Sequence, residues 1–284
     1  MNGALFVALL VTGGLVALAV WGTRGLLRRQ ARQRLLEQPF PAAWGEILEQ
    51  NVPLVQRLGP DRRRRLERLI QAFVADIPFE GAGGLAITDE MRVTIAAQAC
   101  LLVLHSQHRN FPILRTIVVY PGHSYSDEGR LAYRGDGIFS ETSATLLGES
   151  WGDGSVVLAW DAVLHGARSA TDGHNVTLHE LAHQLDQENG AANGIPTLDG
   201  GLKHAPWAQV LERDFRDLVK KTHRGQPGAI DPYGATNEAE FFAVATEVFF
   251  ENPERLRRGY PEMFGLLIQF YGFDPETWRP NPPS

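Results

Sequence analysis

The sequence predicts an α+β fold preceded by one N-terminal membrane-spanning helix. Three observations carry that prediction. An uncharged apolar run fills Gly3 to Gly22, helical periodicity recurs before residue 105 and again after 174, and two short β-rich runs, TIVVY and SVVLAW, lie between the helical blocks. Helices, then a small sheet, then helices is the order of segregated elements, and no internal repeat is visible.

The N-terminal run comes first. About twenty apolar residues rising about 1.5 Å each span a hydrocarbon core of roughly 30 Å. Arg24, Arg28, Arg29, Arg32 and Arg34 follow it, and no basic residue precedes it. Arginines stay on the cytoplasmic side, so the N-terminus faces out and the rest of the chain faces in. A cleaved signal peptide is the rival, with a small-x-small site at Ala17-Leu18-Ala19, but its basic leading segment is missing. Residues 1–23 therefore read as a membrane anchor and 24–38 as a basic connector drawn to anionic headgroups.

Composition bounds the remainder. The 284 residues are 44% hydrophobic and 21% charged, as in an ordinary folded protein. A net charge of −6 gives no reason to expect nucleic acid as a partner. The single cysteine, Cys100 in AAQACLLVL, can form no internal disulfide and reads as a small buried hydrophobe.

From Pro39 the composition is globular. Pro60-Asp61 opens a helix in which Leu66, Leu69, Ile70 and Phe73 share a face, beneath a solvated arginine run at 62–65. Thr88 caps a second helix whose later half is apolar on most sides, which predicts a central position. TIVVY ends at Tyr120 before a proline and a glycine, and SVVLAW spans 155–160. Helical patterns return over 174–187, 205–221, 237–250 and 261–271, and the proline-rich end reads as irregular. The expected division is a folded domain over 39–275 and a tail over 276–284.

The chemistry concentrates in TLHELAHQLD, Thr177 to Asp186. His179 and His183 are four positions apart, so a helix puts both imidazoles on one face, within reach of one ion. Glu180 projects beside that ion and can take a proton from its water, the arrangement of H-E-x-x-H zinc peptidases. Asp172 is a plausible cap for this helix, and Asp186, one turn beyond His183, could orient a ligand imidazole. A metzincin would continue with glycine and then histidine where this chain has Asp186 and Asn189, so that class is excluded. A third ligand must then come from a later helix. Residues 231–253 offer Glu238, Glu240 and Glu247, and spacing alone does not choose between Glu238 and Glu240.

HELAHQLDQENG, IDPYGATNEAEFFAVATEVFFENPE and SWGDGSVVLAWD together resemble the Mlc titration factor A family of zinc-dependent peptidases, in order over most of residues 40–275. The resemblance implies a zincin-like metallopeptidase domain of gluzincin type, with a small sheet and an active-site helix. It implies zinc on His179, His183 and Glu240, with Glu180 as catalytic base and Tyr233 implicated in catalysis. It also implies a bacterial origin, hence the inner membrane as location, and a transcriptional regulator as a partner beside a peptide or protein substrate. The N-terminal apolar segment departs from the family's soluble pattern.

The leading expectation is thus a membrane-tethered zinc peptidase on the cytoplasmic side, with aminopeptidase preference as its finer form. A regulatory binding protein with structural zinc and a metal-free structural domain are the alternatives, and the intact motif glutamate favours the enzyme. SVVLAW could be an edge strand that pairs with an extended substrate, or ordinary packed sheet. His105, His108, His123, His165, His174, His204 and His223 read as surface or capping residues, and Trp151 and Trp160 as packing.

Overall fold

The computed structural model describes residues 33, 38–105, 111–122, 148–150, 154–198 and 201–278. The expected anchor, nearly all of the basic connector, His108, His123, Trp151 and residues 279–284 lie outside the described residues. Among the described residues no helix is long and apolar enough to cross a membrane.

Residues 41–284 form one compact unit. Its chain runs through α1 (Ala42–Asn51), α2 (Pro60–Asp76), β1 (Phe79–Gly81) and α3 (Asp89–Leu102). Then come β2 (Thr116–Tyr120), β3 (Gly148–Ser150), β4 (Ser155–Ala159) and α4 (Trp160–Arg168). The second helical block holds α5 (Val176–Asp186), α6 (His204–His223), α7 (Glu238–Glu251), α8 (Pro253–Gly259) and α9 (Pro261–Tyr271). This mixed architecture is the α+β arrangement expected.

Local signals explain where these helices begin. Pro60 and Pro261 stand in first turns, where the missing N–H costs nothing. The Thr88 hydroxyl accepts from the Met91 amide at 3.3 Å and caps α3. That helix is buried on nearly all sides, from Val93 through Leu101, and packs against α1, α2 and α5. On α2, Leu66, Ile70 and Phe73 are buried, while Leu69 lies at the edge of the buried stripe. The arginine run above them is paired in part, Arg63 with Glu49 at 2.7 Å and with Glu67 at 2.9 Å.

The sheet has the order β1–β2–β4–β3, with β1, β2 and β4 parallel and β3 antiparallel at one edge. Ile117, Val119, Val156 and Leu158 alternate with half-exposed neighbours and bury one face. Two expectations change here. SVVLAW is not an edge strand, because β2 pairs with one side of β4 and β3 with the other. It also stops being a strand at Ala159, and Trp160 begins α4.

The far side of α7 carries an aromatic core. Phe249 and Phe250 lie against Tyr271 and Phe273, and Trp278 stacks on Phe273 at 4.2 Å and 11°. The proline-rich end, expected to be irregular, contains a 3₁₀ turn over Pro275–Trp278, because burying the Trp278 ring fixes it. A side chain of that size is worth about 3 kcal/mol on burial, more than a short turn costs to order. This packing fixes α7 to the end of α9 and the turn that follows it.

Candidate metal centre

Two helices build the site. α5 starts at Asn175, whose side-chain oxygen accepts from the Leu178 amide at 3.0 Å. The expected cap, Asp172, lies too far upstream. Its carboxylate instead accepts from the His174 amide at 3.0 Å and from the Ser169 hydroxyl. The facing helix, α7, starts at Asn237, whose side chain accepts from the Glu240 amide at 3.0 Å. That cap fixes Glu240 in the first turn, with the side chain turned toward α5. Glu238, the other acid of the first turn, is exposed and takes no part.

Three ligand atoms converge between the helices. The Nε2 atoms of His179 and His183 are 3.2 Å apart, and Glu240 Oε2 lies 3.0 Å from the first and 3.3 Å from the second. Ligands about 2.0–2.1 Å from a tetrahedral ion sit about 3.3 Å from one another, so the triangle has the size of one face of such a site. Glu240 Oε2 is buried yet has no hydrogen-bond partner among the described residues. Two imidazole nitrogens and a carboxylate oxygen are a set of ligand atoms that one cation can satisfy together. Of the described residues, only His179, His183 and Glu240 form a cluster that could hold a metal.

The groups around the triangle set its electrostatics. His179 Nδ1 donates to Glu247 Oε1 at 2.8 Å, two turns along α7 from Glu240. With Nδ1 committed there, Nε2 is the nitrogen that faces the site. Burial would lower the His179 pKa, but Glu240 and Glu247 outweigh it and hold it well above the usual imidazole value. Burial would likewise raise the Glu240 carboxyl, yet the two facing imidazoles bring it down to about 2. Glu180, 6% exposed, lies close enough to feel both histidines, Glu240 and Glu247, and burial raises its pKa above the ordinary carboxylate value. The Tyr233 ring is 5.9 Å from that of His179, and burial together with the nearby Glu240 and Glu180 carboxylates raises the pKa of its hydroxyl. Tyr233 stands in a 3₁₀ turn capped by Asp231, which accepts from the Tyr233 amide at 2.7 Å.

The structure thus gathers His179, Glu180, His183, Tyr233 and Glu240 in one place. Asp186 is elsewhere occupied. Its Oδ2 accepts from the Gly194 amide at 2.8 Å and anchors the loop after α5, and its buried Oδ1 has no hydrogen-bond partner among the described residues, so neither oxygen holds a ligand imidazole. Gly194 has φ +73°, and an added Cβ would lie 2.4 Å from the Glu238 carbonyl oxygen, so only glycine carries its amide to Asp186. The carboxylate that orients an imidazole is Glu247, whose seven-residue spacing from Glu240 was its signal in the sequence. Among the other histidines, His105 packs on Phe273 at 5.2 Å, and His174, an exposed residue, lies 4.0 Å from Asp231. His165, His204 and His223 are exposed.

Comparisons with known proteins agree with this geometry. A family described as glucose-regulated metallo-peptidase M90 matches residues 27–272. An uncharacterized protein of Synechocystis sp. is 36% identical over 271 residues, which cover 95% of this chain and 97% of that protein. Mlc titration factor A of Yersinia pestis and that of Yersinia pseudotuberculosis are each 29% identical over 242 residues, covering 82% of this chain and 85% of theirs.

Proposed function

The chain belongs to the glucose-regulated metallopeptidase M90 family, and from that premise we propose that it is a zinc-dependent peptidase with His179, His183 and Glu240 as metal ligands and Glu180 as general base. The observation that carries this reading is the triangle of 3.0, 3.2 and 3.3 Å between three ligand atoms, one of them a buried oxygen without a hydrogen-bond partner among the described residues. Two imidazoles and one carboxylate are a donor set of hydrolytic zinc sites, which keep a fourth position open. Zinc held there would polarise a water and a peptide carbonyl at neutral pH.

The protein groups do the rest. Glu180 takes a proton from the attacking water and delivers it to the departing amine, so one carboxyl serves both steps. Its raised pKa suits it to receive a proton near neutral pH. The Tyr233 hydroxyl donates a hydrogen bond to the oxygen that gains charge as the carbonyl becomes tetrahedral. Glu247 keeps His179 in the tautomer that leaves Nε2 free. An extended peptide would add to the sheet at β3, since β4 is paired on both sides. The substrate is accordingly a peptide or protein, and aminopeptidase action is the finer form of the proposal.

The location proposed is the cytoplasmic face of the inner membrane, by a single N-terminal anchor. The uncharged run Gly3 to Gly22 and the arginines after it support this, and the match to the Synechocystis protein, at 95% of this chain, reaches into that run. A second reading draws on the name of the Yersinia relatives, titration factors of Mlc. By it, this chain also captures a transcriptional regulator, and capture would survive Glu180→Gln.

The test is zinc content and peptide hydrolysis for the full chain, wild type and Glu180→Gln. Both proteins should carry one zinc, and the variant should lose at least about 10²-fold in hydrolysis. Folded protein that binds no zinc in either form would end the peptidase reading.

A further inference from the structure

Behind the metal-facing side of α7 lies a buried acid that the chemistry above leaves without a task. Glu251, in the last turn of that helix, is 3% exposed, and Glu247, one turn earlier, is 6% exposed. Two acids on one helix face would repel where water cannot screen them. Both accept hydrogen bonds from one short stretch just before α5, Glu247 in addition to the one from His179. The Gly173 amide donates to Glu251 Oε2 at 3.0 Å, and Asn175 Nδ2 donates to Glu251 Oε1 at 3.0 Å. The Asn175 backbone amide donates to Glu247 Oε2 at 2.5 Å. Gly173 has φ +84°, a conformation that turns its amide toward Glu251 and that other residues rarely adopt.

A third carboxyl completes the group. Asp172 lies close enough to Glu251 for each to act on the other's ionisation, and it already accepts from the His174 amide and the Ser169 hydroxyl. Two carboxyls can hydrogen-bond to each other only when one of them carries a proton. Asp172 is partly exposed and well supplied with donors, whereas Glu251 is sealed off beside Glu247. The proton therefore belongs on Glu251.

We propose that Glu251 is a positioning residue for the metal centre, a neutral carboxylic acid that donates its O–H to Asp172 and accepts from Gly173 and Asn175. It thereby holds Asn175 where its backbone amide fixes Glu247 behind His179. The chain of contacts runs from the metal face through His179, Glu247 and Asn175 to Glu251 and Asp172. It needs one neutral member to avoid three adjacent negative charges. Burial pushes the Glu251 carboxyl up to about 9, and the charges of Glu247 and Asp172 act in the same direction. The inference rests on the reading of His179 as a metal ligand.

Two measurements on the full chain test it. Infrared difference spectra of wild type against Glu251→Gln, at neutral pH, should show the carbonyl stretch of one protonated carboxylic acid in the wild type only. Zinc dissociation constants, read by competition with a chromophoric chelator, should stay within about threefold for Glu251→Gln. They should weaken roughly tenfold for Glu251→Ala, the lower end for a lost outer partner of a ligand. Absence of the infrared band would overturn the proposal, as would unchanged zinc affinity in folded Glu251→Ala. If the alanine variant does not fold, the glutamine variant decides, because a tenfold loss there means the charge was needed. A wild type that binds no zinc would overturn the metal reading and this proposal with it. A wild type that binds zinc beside an unaffected alanine variant would overturn this proposal alone.

Discussion

At the residue scale the site turns on His179, which is held from both sides. Glu247 takes its Nδ1 proton and Glu240 faces its Nε2. Replacing Glu247 by alanine frees the ring to rotate and to change tautomer, and should weaken zinc binding by about 10- to 100-fold in a chelator competition. Protons compete for the same nitrogen. With no metal, the two carboxylates hold the His179 imidazolium well above its ordinary pKa, so zinc affinity should fall as the pH is lowered from 8 to 6, and a flat profile would contradict this. Glu251 gives a prediction of opposite kind. Its folded pKa is raised to about 9, against an ordinary value of about 4.3 in the unfolded chain. The folded state thus favours the proton, and its stabilising contribution is complete below the unfolded pKa and lost as pH rises toward the folded one. The melting temperature of chelator-treated wild type should therefore fall further between pH 5 and 9 than that of Glu251→Gln. Parallel curves would show that Glu251 does not titrate this way.

The pair of histidines was legible because a spacing of four is a property of the helix itself. The residues behind them were not, since their roles depend on how α7 docks against residues 172–175. Glu247 and Glu251 did leave a trace, as two acids in the otherwise apolar VATEVFFE. Asp186 misled for the complementary reason. Its position one turn from His183 is right for orienting a ring, but buried loop amides claimed it first.

At the element scale, periodicity located four of the five helices of the second block to within a few residues, missing only the short α8, and the local chemistry of their ends set the rest. α5 begins at Asn175 and not earlier, because that side chain both caps the helix and ties it to Glu251. Asn175→Ala should cost about 2 kcal/mol, a lost cap plus a lost buried hydrogen bond, seen as a lower denaturant midpoint with unchanged slope. β3 escaped notice because its GES carries no apolar alternation. Without it, β4 looked like an edge. The helix that follows β4 was hidden by the same apolar run, which passes from strand to helix at Trp160 without a polar break.

At the scale of the whole molecule, the compact unit places a polar, charged site between helices whose other faces are apolar and tightly packed. All ten residues from Thr177 to Asp186 are buried, four of them acids or histidines that a core would otherwise exclude. The aromatic cluster behind α7 supports that arrangement from a distance. Trp278→Ala should destabilise the unit by about 3–5 kcal/mol in a denaturant titration, although the ring lies in the proline-rich end. Nothing in the composition of that end announced a core tryptophan, since its neighbours are turn residues and only tertiary packing fixes the ring.

The central claim is that His179, His183 and Glu240 share one zinc ion. Anomalous diffraction at the zinc absorption edge, from crystals of the zinc-loaded protein, tests it most directly. The account predicts a single strong peak about 2.0–2.2 Å from both Nε2 atoms and from a Glu240 carboxylate oxygen. Zinc-loaded crystals with no peak between α5 and α7, or with a peak bound by other residues, would contradict it.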